Sequence, residues 1–401
     1  MPPDTLTGVL SSVAQRLRED LADVRAEPLR LRARVADLRV EAATEADPPY
    51  RLHTLRLYPL ETKVKDPRVA APATRTSGAV PEEAAAVAAD AFAELGLVGL
   101  IVAGTTGDAS VWVTARGWAS LDQDEVLLPE HRFPAYSITK LITAIAVLRL
   151  VADGRVRLDE PANAYLRTIR LADDAVTVRE LLSHTGAVDS PASMFADRVP
   201  DLASVTGPVA ACGGPRGTFA YGHGGYALLG QLIADVTASR YEDAATRMVL
   251  EPLGMSASWF PRSRPATRVT TGHRLTDEGV FERAPTRVFK MPAAGGLWTT
   301  AADLVHLGRA WSSLLPDALA REALRPQAER NDGPGGQAGL GWMLNLPKDI
   351  AGHPGAGFGF SASLIVRPGL VSPGGSQTWV VLTNRQVLVE PVNERLALPI
   401  A

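Results

Sequence analysis

Between Leu10 and Val40, apolar residues recur every seven positions, at Leu10, Leu17, Val24, Leu31 and Leu38, with Ala14, Leu21 and Val35 on an offset register. Such spacing predicts amphipathic helix. Pro28 interrupts the run, and proline both removes a helix hydrogen bond and clashes with the turn before it, so two short docked helices are expected. A dimerising coiled coil would need about three to four uninterrupted heptads. Residues 47–80 hold five prolines and one alternating stretch, Tyr50 to Leu60, which predicts a strand followed by a linker.

Beyond Pro81 the pattern changes. Glu82 to Leu95 is alanine-rich and helical, and two β-like runs, Leu97–Ala103 and Ser110–Thr114, flank the turn Gly104–Asp108. Leu141 to Ala152 is apolar nearly all round except at Arg149, which predicts a buried central helix whose N-terminus points into the protein. Helical patterns then alternate with Gly/Pro loops from 155 to 290, and β-like runs return at Ser361–Arg367 and Thr378–Thr383. Strands at both ends around a helical middle predict an α+β fold, with one sheet assembled from both ends and a helical insertion over about 141–290. The expected organisation is a mainly helical N-terminal extension, 1–79, and one domain, 80–401.

Composition narrows the classes of function. The 401 residues are 46% hydrophobic and 21% charged, an ordinary globular balance. A net charge of -3 lacks the basic excess that phosphate-backbone binding requires, so no nucleic-acid partner is expected. Cys212 is the single cysteine, which excludes an intramolecular disulfide and any cysteine metal cluster. His53, His131, His184, His273 and His306 show no metal-binding spacing, and neither metal nor cofactor is expected. No stretch approaches the ~18 apolar residues of a membrane span, and the first twenty residues lack a basic-then-apolar leader, so the expected location is cytoplasmic.

One cluster carries chemistry. In Pro134-Ala135-Tyr136-Ser137-Ile138-Thr139-Lys140, Ser137 stands at a helix start with Lys140 one turn later on the same face. A serine hydroxyl is a poor nucleophile until a neighbour takes its proton, and a lysine desolvated by an apolar helix loses its preference for the charged form. The helix N-terminus adds positive potential where an oxyanion would form. Given the composition, Ser-x-x-Lys should arise about 0.25 times by chance, so alone it reads equally as a capping serine beside a snorkelling lysine.

Its company decides the matter. FPAYSITKLITA, GRVRLDEPANAYL, VTVRELLSHTGAV, TFAYGHGGYALLGQLI, LEPLGM, AAGGLWTTAADLVHLG, GLGW at Gly339 and GHPG at Gly352 follow one another from about Pro81 to Arg385. In this order they resemble the serine β-lactamase and penicillin-binding-protein superfamily, most closely its class C β-lactamase and esterase branch. The resemblance implies a β-lactamase/transpeptidase-like fold, an antiparallel sheet flanked by helices with a helical subdomain. It further implies that Ser137 is acylated, Lys140 accepts its proton and Tyr221 shuttles protons as a phenol shifted toward phenolate. His353, Pro354 and Gly355 fill the family's third element, and the backbone amides of Ser137 and Ala356 would form the oxyanion hole, with Gly355 allowing substrate close to the strand.

One position departs from the family. His223 replaces the asparagine of Tyr-x-Asn, and imidazole cannot present an amide's paired donor and acceptor, which argues against β-lactamase activity. It would instead place a second group titrating near neutral pH in the pocket. His184, in LLSHTGAV, is expected to be a hydrogen-bonded turn residue, and Cys212, in ACGGPRG, an inert one. The chain thus reads as a serine acyl-enzyme hydrolase of an ester or small amide. Two alternatives are an acyltransferase passing the acyl group to an amine or alcohol in small-molecule metabolism, and a weakly catalytic binding protein. The partner is a small acyl substrate.

Overall fold

The computed structural model describes residues 30–35, 38–44, 52–59, 64–69, 74–105, 110–188, 195–200, 215–263, 265, 269–285, 287–330, 335–372 and 375–397. The chain divides into two units, Met1–Lys63 and Val64–Ala401. In the first, β1 (Arg30–Val35), β2 (Leu38–Thr44) and β3 (Leu52–Pro59) form an antiparallel sheet in that order. The strand expected over Tyr50–Leu60 is β3. The helix expected over Leu31–Val40 is instead a pair of strands, because Leu31, Ala33 and Val35 alternate with Arg30, Arg32 and Arg34. That two-residue period prevails over the wider seven-residue spacing. The other expected helix, before Pro28, lies outside the described residues, as does Cys212.

The second unit begins earlier than the expected boundary at residue 80. Lys65 N–H donates to the Gly279 carbonyl at 2.8 Å, and the Asp66 carboxylate accepts from Phe281 N–H at 2.9 Å and from Arg68. β4 (Thr74–Ser77) pairs with β6 (Val111–Ser120), which neighbours β5 (Gly99–Thr105). β7 (Glu125–Val126) also pairs with β6. From the far end of the sequence come β8 (Ala328–Glu329), β9 (Gly336–Ala338), β10 (Met343–Asn345), β11 (Ile350–Gly357), β12 (Phe360–Ser372) and β13 (Gly375–Thr383). Together they make one antiparallel ten-stranded sheet, ordered β8-β9-β10-β11-β12-β13-β5-β6-β4 with β7 on β6. Its closure is the pairing of β13 with β5, Val381 opposite Val102, which joins the two ends of the domain as the pattern predicts.

Helix α1 (Glu82–Glu94) and the C-terminal α6 (Glu390–Ala397) pack on one face of the sheet, through Ala84, Ala88, Ala91 and Val392. The other face carries the large core, built round α2 (Thr139–Ala152) with α3 (Val178–Leu182), α4 (Gly224–Thr237) and α5 (Ala301–Ala310). In α2 Leu141, Ile142, Ala144, Ile145, Ala146, Val147, Leu148 and Leu150 are fully buried, and Arg149 ends on the Met248 carbonyl. No described helix is long and apolar enough to cross a membrane.

Helix α3 opens with a capping box. Thr177 Oγ1 accepts from Glu180 N–H at 3.2 Å while Glu180 Oε2 accepts from Thr177 N–H at 2.8 Å. This cap fixes the helix that delivers His184 to the site. Thr177→Ala should therefore lower unfolding free energy by about 1 kcal/mol in denaturant titration, and an unchanged midpoint would show the box to be idle.

Candidate active site

Ser137 lies in a single 3-10 turn, Tyr136–Ile138, that leads straight into α2. The segment is pinned from outside, Ala135 N–H donating to the Leu297 carbonyl at 2.8 Å and Thr139 Oγ1 accepting from Leu297 N–H at 3.2 Å. Tyr136, buried, has φ +44, a left-handed conformation that an aromatic residue rarely adopts. Strain of this kind persists only where the surroundings over-determine it, and it marks functional turns.

One helical turn on, Lys140 is fully buried. Its Nζ lies 3.1 Å from Ser137 Oγ, 3.0 Å from the Ala294 carbonyl and 3.2 Å from His223 Nδ1. Among the described residues no carboxylate pairs with it, and burial alone holds its pKa far below the ordinary lysine value. A neutral amine has two N–H groups and one lone pair. The Ala294 carbonyl can only accept, and with the imidazole proton on Nε2 His223 Nδ1 would accept as well; in that tautomer the lone pair is left for the Ser137 hydroxyl, the arrangement a general base requires.

His223 caps the N-terminus of α4, two residues after Tyr221. Burial first, and then the charge Lys140 would carry, holds it down at about 3. The imidazole is therefore neutral near pH 7, and the expectation of a group titrating near neutrality is corrected. What survives from the family amide is its acceptor.

Tyr221 is 40% exposed as a residue, but its hydroxyl is buried on the side of Ser137. Its ring stands 4.9 Å from Lys140 Nζ. Burial raises the phenol above its usual value, an effect that Ser137 only partly offsets, and so works against the phenolate that the resemblance implies.

β11 runs past Ser137 backbone to backbone. A Cβ at Gly355 would stand 2.2 Å from the Ala135 carbonyl oxygen and 3.2 Å from Ser137 N, so only glycine fits. Ala356 follows it, exposed. His353 is 2% exposed, and its Nδ1–H donates to the Pro354 carbonyl at 2.6 Å. Burial and the neighbouring Lys140 hold it at about 3, and its ring centroid is 6.0 Å from that of Tyr221. Ser137, Lys140, Tyr221, His223, His353 and Gly355 therefore converge, with Ala356 at the edge of the group.

Four participants escaped sequence reasoning. The Ala294 carbonyl comes from AAGG, which reads as a landmark without a role; the same segment's Ala293 carbonyl accepts from Thr143 Oγ1 at 2.6 Å. The strain at Tyr136 leaves no local signal. His184 is more than a turn residue: its ring lies 4.6 Å from that of Tyr221 and 5.0 Å from that of Tyr226, with φ +59. Its Nδ1 accepts from Gly222 N–H at 3.4 Å, so it supports the Tyr221 loop from beneath.

An antiparallel sheet with a buried Ser-x-x-Lys helix against its face, a tyrosine loop on one side and a glycine strand on the other is a β-lactamase/transpeptidase-like fold. Residues 84–399 match the Beta-lactamase family, and the chain belongs to it. Esterase EstB of Burkholderia gladioli is 28% identical over 318 residues, 68% of this chain and 80% of its own. The crystal structure of SurE is 30% identical with a TM-score of 0.63, covering 79% of this chain and 74% of SurE. A class C β-lactamase shares the fold at a TM-score of 0.65 and 19% identity, covering 80% of this chain and 96% of that one.

Two outcomes test this geometry. Gly355→Ala should slow acylation of Ser137 by about 100-fold with the fold retained by circular dichroism, whereas an unaffected rate would place the strand away from the reaction. As pH falls, Lys140 takes up a proton and acylation is lost, while His223, held at about 3, stays neutral over pH 5 to 8. The acid limb of the pH–acylation profile should accordingly persist at the same pH in His223→Asn; its disappearance would make the imidazole the base.

Proposed function

We propose that the protein is a serine acyl-enzyme hydrolase acting on an ester or small amide. What supports this reading is the fully buried Lys140, with Nζ 3.1 Å from Ser137 Oγ and held between the Ala294 carbonyl at 3.0 Å and His223 Nδ1 at 3.2 Å. Ser137 Oγ attacks the carbonyl carbon and its proton passes to Lys140 Nζ. The developing oxyanion takes hydrogen bonds from the amides of Ser137 and Ala356, beside Gly355. As the tetrahedral intermediate collapses, Tyr221 gives its proton to the departing oxygen or nitrogen, and Lys140 restores that proton to Tyr221. Water then attacks the acyl carbon from the exposed side of Tyr221 as its proton passes to the same pair, which returns that proton to Ser137 Oγ when the acyl–oxygen bond breaks and the acid leaves. His353, a neutral buried imidazole, packs behind Tyr221 and gives it shape without charge.

Acyl transfer is the second reading, and the partly open Tyr221 favours it, since an amine or alcohol can stand where water would. The likeness to SurE, also solved with D-Leu at 29% identity, supports D-leucine esters and amides as probes. His223 lacks the amide donor that would hold an acylamide side chain, which weighs against β-lactam turnover.

Intact-mass spectrometry after exposure to a fluorophosphonate and to a nitrophenyl ester tests the reading. Wild-type protein should gain one adduct, Ser137→Ala none, and Lys140→Ala should label about 10² to 10⁴ times more slowly. An adduct persisting in Ser137→Ala would overturn it. Shortening of the adduct lifetime by added amines would assign transfer, and indifference to them hydrolysis.

A further inference from the structure

We infer that the site takes a bulky, uncharged apolar acyl group, aromatic or branched, and that Phe195, Phe289 and Phe358 are its specificity-determining residues. The inference rests on the acyl-enzyme reading of Ser137 and adds the class of substrate.

Three rings gather beside the nucleophile from three separate parts of the chain. Phe195 is the hub, its ring centroid 4.4 Å from Phe358, 5.1 Å from Phe289 and 6.0 Å from Tyr136, each contact edge to face. Phe195 and Phe289 are cross-strand partners in a short antiparallel ribbon, Phe195–Ala196 with Val288–Phe289, which fixes the pair. At one end of the wall Phe289 packs against His223, 5.3 Å between centroids, and His223 holds Lys140. At the other end Phe358 follows Gly357 on the strand that passes Ser137. A Cβ at Gly357 would stand 3.1 Å from the Tyr136 ring and 3.2 Å from that of Phe195. The wall thus links the imidazole beside Lys140 to the strand that passes Ser137.

A second observation points the same way. Phe358 and Gly359 form the two-residue turn between β11 and β12, with φ +25 and +78. Both positions are left-handed, and the first ordinarily takes asparagine, aspartate or glycine. A phenylalanine kept there at a conformational disadvantage is explained by what its ring does. Phe195 and Phe358 are partly exposed, whereas Phe289 is buried. Phenyl rings carry no charge, and a charged acyl group set against them would exchange water for apolar surface.

The test is the acylation burst with 4-nitrophenyl phenylacetate, acetate and hemisuccinate, each rate divided by that ester's hydrolysis rate in hydroxide. Wild-type protein should favour phenylacetyl over acetyl by about tenfold or more and disfavour the anionic hemisuccinyl group. Phe195→Ala should bring the phenylacetyl-to-acetyl ratio close to unity. Phe358→Asn should do the same while suiting the turn, which separates loss of the ring from loss of folding. Leu346→Ala, at an exposed position remote in function, should keep the wild-type ratio. Equal normalised rates in wild type, or a ratio that survives both phenylalanine substitutions, would overturn the inference while leaving the acyl-enzyme reading intact. Failure of every ester to label Ser137 would overturn both.

Discussion

The structure depends on burying one amine that, among the described residues, has no acid to accompany it. Lys140 sits on a helix that is apolar around nearly its whole circumference, and α2 can occupy the centre of the domain only by taking that side chain with it. A buried ammonium without a counter-charge is strongly disfavoured, so burial pushes the group toward its neutral form. The amine is held by groups from distant segments: a carbonyl from 292–295, an imidazole at the start of α4, and the serine one turn before it. In the proposed mechanism, the hydrophobic packing that stabilises the domain is the same packing that makes the lysine a base.

The neighbouring imidazoles follow the same logic. His184, His223 and His353 surround the lysine and tyrosine, and burial depresses all three. They act as neutral parts of fixed shape: His223 as a hydrogen-bond acceptor for Lys140, His353 as a ring behind Tyr221, His184 as a support beneath it. His223 stands two residues after Tyr221 with Nδ1 3.2 Å from Lys140 Nζ and its ring against Phe289.

Much of this was legible in the chain. The helix from Leu141, the strands at both ends and the spacing of Ser137 and Lys140 are local patterns, and local patterns survive in sequence. The family motifs extended that reach to Tyr221 and Gly355. Juxtapositions between distant segments did not show: the Ala294 carbonyl over Lys140, His184 under Tyr221, and Phe195 between Phe289 and Phe358 arise only when the sheet and helical layers close. The error at the N-terminus was of another kind. Two periodicities overlap in 30–40, and the strict alternation of arginine with apolar residues over 30–35 is the stronger one, because every residue obeys it.

The central claim is that Lys140 is uncharged near neutral pH. With only five lysines in the chain, Lys63, Lys65, Lys140, Lys290 and Lys348, each ε-carbon can be followed by carbon-13 NMR in lysine-labelled protein and Lys140 assigned from Lys140→Met. The account predicts one resonance, absent from the variant, that reports a neutral amine at pH 7 and protonates only as the solution is acidified. Five resonances that all titrate near the ordinary lysine pKa of about 10.4 would contradict it.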